Sequence, residues 1–224
     1  MEIETGAGPA SAELHMPPGR PRFLLVLTHG AGGRPDSADL LAVRDAALPL
    51  GGVVALLTQP YRVAGRRAPG SAPRQDAAWI EAVSAVRGAV AAARRKRQRV
   101  GELPLVQGGR SNGARVACRT AGAAGAIAVM ALAFPLHPPG RPEQSRAAEL
   151  QAAGIRVLVL NGERDPFGVP EAGGAIEVVV LPGETHALSR HPAAVGAAAG
   201  SWLRTLLLAG PGPQGQAAGT GAAG

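Results

Sequence analysis

The 224-residue chain has one cysteine, Cys118, so no intrachain disulfide can form. That suits a reducing compartment, and the expectation is a cytoplasmic protein. Phe, Trp and Tyr make up only 3% of the residues, which leaves few rings for stacking bases or building an aromatic cage. Lysine is nearly absent: Lys96 is the single one, and the other cations are arginines. No run of 18 or more apolar residues occurs, which argues against a membrane-spanning helix. The first ten residues, MEIETGAGPA, are acidic and carry no apolar core, so they do not read as a secretory signal.

What is present is Ala, Gly, Pro and Arg, with a formal net charge of +7. The densest basic run, Arg94 to Arg99, closes an Ala-rich segment with helical character. Cations there complement the negative end of a helix dipole. A solvated helix end therefore accounts for the run better than a nucleic-acid patch does. With no aromatics interleaved, nucleic acid is not the expected partner. A chain of this length builds one core without a structural metal. A domain over residues 1–209 is expected, followed by a disordered Gly/Ala/Pro/Gln tail over 210–224.

Short apolar runs alternate with longer Ala-rich segments. FLLVL (Phe23 to Leu27), VVALL (Val53 to Leu57), PLVQ (Pro104 to Gln107), IAVMAL (Ile127 to Leu132), IRVLVL (Ile155 to Leu160) and IEVVVL (Ile176 to Leu181) read as strands buried on both faces. Helices are expected at about Ser37 to Pro49, Arg74 to Arg97, Asn112 to Gly122 and Pro192 to Leu208. This alternation predicts a mostly parallel sheet with helices on both faces, a three-layer α/β fold with right-handed crossovers. Glu2 to Leu14 could add one or two antiparallel edge strands. Tyr61 to Pro73 and Phe134 to Pro142 read as loops.

Gly108-Gly109-Arg110-Ser111-Asn112-Gly113 follows a strand and opens a helix. It holds G-x-S-x-G at Gly109, Ser111 and Gly113. This pattern suits a sharp strand-to-helix turn that lifts a serine hydroxyl above the sheet, with small residues two positions away on either side. The alternative is an ordinary glycine turn. Asn112 would begin the helix and offer its backbone N–H to a developing negative charge. A second glycine-rich segment, Thr28-His29-Gly30-Ala31-Gly32-Gly33, follows the strand FLLVL. It has neither a P-loop ending nor dinucleotide spacing, so an oxyanion loop is favoured over a phosphate cradle. Gly30 and Ala31 are the residues expected there, with the Ala31 N–H as the second donor.

A serine nucleophile with this turn calls for an acid and then a histidine, in that order along the chain. His186 lies just past IEVVVL, whereas His191 precedes Pro192 and reads as a helix-start residue. Asp165 lies in the loop after IRVLVL. Glu163 is closer to the strand and reads as solvated or paired with Arg164. Asp165 could alternatively serve an Asx turn before Pro166. His29 reads as a structural hydrogen-bonder, and His137 as either lining the mouth of the site or lying on a surface loop. Cys118 reads as a small buried residue. Arg62, Arg66, Arg67 and Arg110 could favour an acidic substrate. No histidine pair has metal-ligand spacing, and neither metal nor cofactor is expected.

Five ordered motifs carry a family resemblance: LTHGAGG (Leu27 to Gly33), GGRSNGARVA (Gly108 to Ala117), FPLHPPGRPEQSR (Phe134 to Arg146), NGERDPFG (Asn161 to Gly168) and PGETH (Pro182 to His186). They resemble the α/β-hydrolase superfamily. The nearest likeness is the hydrolase-like branch of testis-expressed protein 30 and subunit 3 of the non-specific lethal chromatin complex, with dienelactone hydrolases more distant. Unlike dienelactone hydrolases, this chain has Ser111 rather than cysteine at the elbow. The resemblance implies Ser111, Asp165 and His186 at one sheet edge, acting on a small acyl substrate. Members of this branch are often hydrolase-like by sequence without a known substrate, and the chromatin subunit acts within an assembly, so a non-catalytic interaction module is the rival expectation. Only 54 positions separate Ser111 from Asp165, so no large lid is expected.

Overall fold

A computed structural model describes residues 1–96 and 102–209. The end of the basic run, Arg97 to Arg99, and the expected tail over 210–224 lie outside the described residues. Eight strands form one sheet in the order β1-β2-β4-β3-β5-β6-β7-β8. β1 (Glu2–Ile3) and β2 (Ala10–His15) pair antiparallel, and β2 pairs antiparallel with β4. The other strands run parallel: β3 (Phe23–Thr28), β4 (Gly52–Thr58), β5 (Leu105–Arg110), β6 (Ala126–Leu132), β7 (Arg156–Gly162) and β8 (Ile176–Leu181).

Alternation along each strand sorts its side chains to the two faces. Phe23, Leu25 and Leu27 of β3 pack with Leu40 and Val43 of α1 (Ala38–Ala47) and with Trp202 and Leu203 of α6 (Pro192–Ala209). Leu24 and Val26 face Trp79, Val83 and Val86 of α3 (Ala72–Lys96). Farther along that second face, α4 (Asn112–Thr120) and α5 (Ala147–Gln151) cover β6 and β7. The result is the expected three-layer arrangement. Because the central strands are buried on both faces, their runs are apolar throughout rather than alternating.

Several boundaries differ from the expectations, each for a local reason. Ser37 stands outside α1 as its N-cap, and the helix gives way to a 3-10 turn at Leu48–Leu50 that contains Pro49. Pro49 lacks the N–H that a continuing helix would use. Tyr61 to Pro73 is not wholly a loop: α2 (Pro60–Val63) starts it and α3 already begins at Ala72. Proline is tolerated in a first helical turn, so Pro60 and Pro73 start these helices rather than prevent them. α5 was not anticipated, because AAELQ is too short to show a helical period.

The sheet order places the site. From β3 the chain winds outward to β4 on one side, and from β5 it winds outward on the other. The carboxyl ends of the adjacent β3 and β5 therefore form a topological switch point, where α/β sheets bind ligands. Gly30 follows β3 there and Ser111 follows β5. The β6–β7 connection, residues 133–155, consists of turns and the five-residue α5. No lid domain stands over the site among the described residues. No described helix is long and apolar enough to cross a membrane.

Candidate active site

Ser111 sits between β5 and α4 with φ 52° and ψ −113°, a region that L-residues rarely adopt. Packing enforces the turn. A Cβ on Gly109 would lie 2.8 Å from the Gly113 carbonyl carbon and 2.8 Å from the Thr28 oxygen. One on Gly113 would lie 2.7 Å from the His29 oxygen. Both glycines of the motif are thus fixed by backbone crowding.

The three residues expected to meet do meet. His186 Nε2 is 2.9 Å from Ser111 Oγ, and His186 Nδ1 is 2.8 Å from Asp165 Oδ2. The carboxylate side defines Nδ1 as the protonated nitrogen, so Nε2 is free to accept from the serine hydroxyl. Asp165 also makes the Asx turn weighed as its alternative role, its Oδ1 accepting the Phe167 N–H at 2.9 Å. The two readings are compatible because they use different oxygens. The ring of Phe167 lies against the imidazole, with centroids 4.2 Å apart.

The loops that carry Asp165 and His186 are joined by backbone contacts. Glu163 N–H donates to the Leu181 carbonyl and Arg164 N–H to the Glu184 carbonyl. Glu163 is not paired with Arg164; its carboxylate accepts the Gly183 N–H at 2.9 Å. Gly162 permits this approach, since a Cβ there would lie 2.6 Å from the Thr185 oxygen. Glu184, 1% exposed, accepts the His191 N–H at the start of α6. His191 is thus the helix-start residue anticipated.

The glycine loop lies beside the serine. A Cβ on Gly30 would be 3.1 Å from Ser111 Cβ, so the loop is in contact with the elbow. The Gly30 carbonyl accepts from Gly33 N–H, from His29 Nδ1–H at 2.9 Å and from the Tyr61 hydroxyl at 3.4 Å. In a trans peptide the next N–H points the opposite way, so that of Ala31 faces away from these donors. Neither the Ala31 nor the Asn112 N–H makes a backbone hydrogen bond among the described residues. His29 is buried and neutral, because its Nε2 accepts the Gln59 N–H at 3.0 Å while Nδ1 donates. Burial holds its pKa below the usual histidine value. Burial also raises the Tyr61 hydroxyl to about 12. The Gly30 end of the loop is therefore held by neutral groups, while the Arg62 guanidinium bonds the Gly33 carbonyl at its far end.

His137 contributes to the acid loop. Its N–H donates to the Phe167 carbonyl at 3.0 Å, and its ring Nδ1 bonds the Pro138 carbonyl. Among the described residues it makes no hydrogen bond to Ser111, Asp165 or His186. Of the arginines considered for an acidic substrate, two are engaged elsewhere. Arg110 lies against Asp39 and the His186 carbonyl, and Arg62 bonds the carbonyls of Gly33 and Arg66. Arg66 and Arg67 remain exposed.

Two asparagine side chains support the site through contacts that the sequence did not signal. Buried Asn161, at the end of β7, accepts the Phe134 N–H and donates to Asp165 Oδ2 at 3.3 Å and the Gly168 carbonyl at 3.1 Å. Asn112 donates from its side chain to Gln75 Oε1 at 2.7 Å, tying the start of α4 to α3. A buried asparagine with all these partners is recognisable only once the loops are in place. Cys118 is buried in α4, and burial pushes its thiol up to about 12.

The sequence model of the alpha/beta hydrolase domain matches residues 21–187. No curated protein sequence matches the chain. Among solved structures, Est1E from Butyrivibrio proteoclasticus is 15% identical with a TM-score of 0.66, covering 93% of this chain and 98% of its own. XC6422 from Xanthomonas campestris, described as an α/β serine hydrolase without a lid, is 16% identical with a TM-score of 0.68 over 92% and 93%. The dienelactone hydrolase from Anabaena variabilis is 16% identical with a TM-score of 0.68 over 92% and 95%. At these identities the structural likeness speaks for the fold, while the sequence match spans well over half of the residues. On that match, the chain belongs to the alpha/beta hydrolase domain family.

Proposed function

We propose that this protein is a serine hydrolase that cleaves a small ester, lactone or thioester through an acyl-enzyme on Ser111. The single observation behind this reading is the unbroken Ser111–His186–Asp165 hydrogen-bond chain, at 2.9 and 2.8 Å, built from three loops distant in sequence. Ser111 Oγ attacks the carbonyl carbon as its proton passes to His186 Nε2. The tetrahedral intermediate collapses, the bond to the leaving group breaks, and His186 returns the proton to the departing oxygen or sulfur. Water then attacks the acyl-enzyme with His186 again as base, and the acid is released. Asp165 keeps the imidazole in the right tautomer and stabilises its cation. The N–H groups of Asn112 and Ala31 receive the oxyanion, each such donor being worth about 2.7–4 kcal/mol of barrier.

A small acyl group suits a rim without a lid, and Est1E has been seen with ferulic acid bound. The resemblance to the testis-expressed protein 30 branch supports the rival reading of a hydrolase-like interaction module. A fluorophosphonate probe separates the two. Labelling of wild type but not of Ser111→Ala, together with hydrolysis of short-chain aryl esters, supports the enzyme. If neither protein is labelled and no ester or lactone turns over, the catalytic reading fails.

A further inference from the structure

Arg110 is the last residue of β5, directly before Ser111, yet its side chain leaves the strand to contact two distant segments. Its Nη2 donates to the His186 carbonyl at 2.9 Å. Its Nε lies 3.1 Å from Oδ2 of Asp39 in the first turn of α1. Asp39 is fully buried, and burial raises its carboxyl above the usual aspartate value. A buried carboxylate needs a compensating charge, and Arg110 is the cation beside it. The contact is close but off-axis: neither Arg110 Nε nor either Asp39 oxygen has a directed hydrogen bond. Charge therefore holds the guanidinium in place, and Nη2 is left as the directed donor to His186.

These contacts close a ring. The backbone of Arg110 continues into Ser111, its side chain grips the His186 peptide, and the imidazole returns to Ser111 Oγ. Asp165, Ser111 and Phe167 meet the His186 ring, and the backbone ties of its loop to other segments act on Gly183, Glu184 or His191, whereas Arg110 grips the His186 peptide itself. The loop at Gly30 packs on the Arg110–Ser111 backbone, since a Cβ there would lie 3.3 Å from the Arg110 carbonyl oxygen and 3.1 Å from Ser111 Cβ.

We infer that Arg110, held by Asp39, is a positioning residue that sets the reach of His186 to Ser111, rather than a binder of acidic substrates. This rests on the proposed role of His186 as base, and the test separates the two. Arg110→Gln and Arg110→Lys are compared with wild type for kcat and KM on an activated aryl ester, for fluorophosphonate labelling rate, and by NMR of the His186 Nδ1 proton. The expected result is a kcat lower by about 100-fold, the loss typical of a catalytic group displaced by about 1 Å. KM should stay within about threefold, and labelling should slow in parallel. The low-field Nδ1 proton should broaden or vanish while circular dichroism is unchanged. Arg110→Lys keeps a charge for Asp39 and should restore the melting temperature without restoring kcat. If Arg110→Gln does not fold, Asp39→Asn/Arg110→Gln removes both buried charges and takes its place.

Folded variants with near-wild-type kcat and an unaltered proton resonance would overturn the inference, as would a large rise in KM for acidic esters alone. If wild type itself hydrolyses nothing, the reading of His186 as base has failed. The NMR signal then still decides the clamp, because it reports the His186–Asp165 geometry without turnover.

Discussion

Replacing Ser111 by glycine should end hydrolysis and yet raise thermal stability above that of Ser111→Ala. Both substitutions remove the hydroxyl and its hydrogen bond to His186, so their difference isolates the backbone. Ser111 holds φ 52° and ψ −113°. A non-glycine residue in so sparsely populated a region carries about 1–3 kcal/mol of strain, which alanine keeps and glycine sheds. Glycine gives back about 0.5–1 kcal/mol through its more flexible unfolded chain. The net gain is about 0–2.5 kcal/mol in favour of glycine, centred near about 1.25 kcal/mol. For a domain of this size, 1 kcal/mol moves the midpoint by about 2–4 °C. At the centre of these ranges Ser111→Gly should melt about 4 °C above Ser111→Ala, read by differential scanning calorimetry under one set of conditions. A glycine variant that melts at or below the alanine variant would refute the claim that the elbow stores strain.

Gly113→Ala should abolish labelling by a fluorophosphonate and lower the melting temperature, because its Cβ would sit 2.7 Å from the His29 oxygen; full activity in this variant would show that the elbow can relax. Cys118, with its thiol raised to about 12 by burial, should resist Ellman's reagent at pH 8 in the native state and react fully in denaturant. Glu149 provides a pH test. Burial works against its charge, but bonds from Arg115 and Arg119 outweigh burial and hold the carboxyl below its usual value. A depressed folded value adds stability that is present above the unfolded pKa of about 4.3 and is lost as pH falls through the folded one. The melting gap between wild type and Glu149→Gln should therefore be widest near neutrality and close below about pH 4, whereas a gap unchanged down to pH 3 would count against this account.

The sheet was legible because doubly buried parallel strands write themselves as unbroken apolar runs, and FLLVL, VVALL and IRVLVL all became central strands. Ser111, Asp165 and His186 were legible because each follows such a run at a strand's carboxyl end, in a fixed order. Residues whose meaning lies in long-range partners were not. Asp39 is an ordinary acidic residue in a first helical turn until α1 is laid over β3 and β4, where Arg110 reaches it from the end of β5. An arginine beside a serine reads as a ligand-binding cation until Asp39 and the His186 carbonyl are seen to occupy it. Asn161 and Phe167 lay within a quoted motif, yet their contacts to Asp165 and His186 depend on how the loop folds back. The helix at Ala147–Gln151 is held by tertiary bonds, Glu149 to Arg115 and Arg119, rather than by its own periodicity.

The brevity of the β6–β7 connection shapes how a substrate would be chosen. With nothing among the described residues folded over the rim, the far end of a bound ester would stay in bulk water and contribute little to recognition. Discrimination then falls on atoms within a few bonds of the attacked carbon. Release of the acid would need no flap from the described residues to swing, so turnover should not track solvent viscosity in the way a gated enzyme's does.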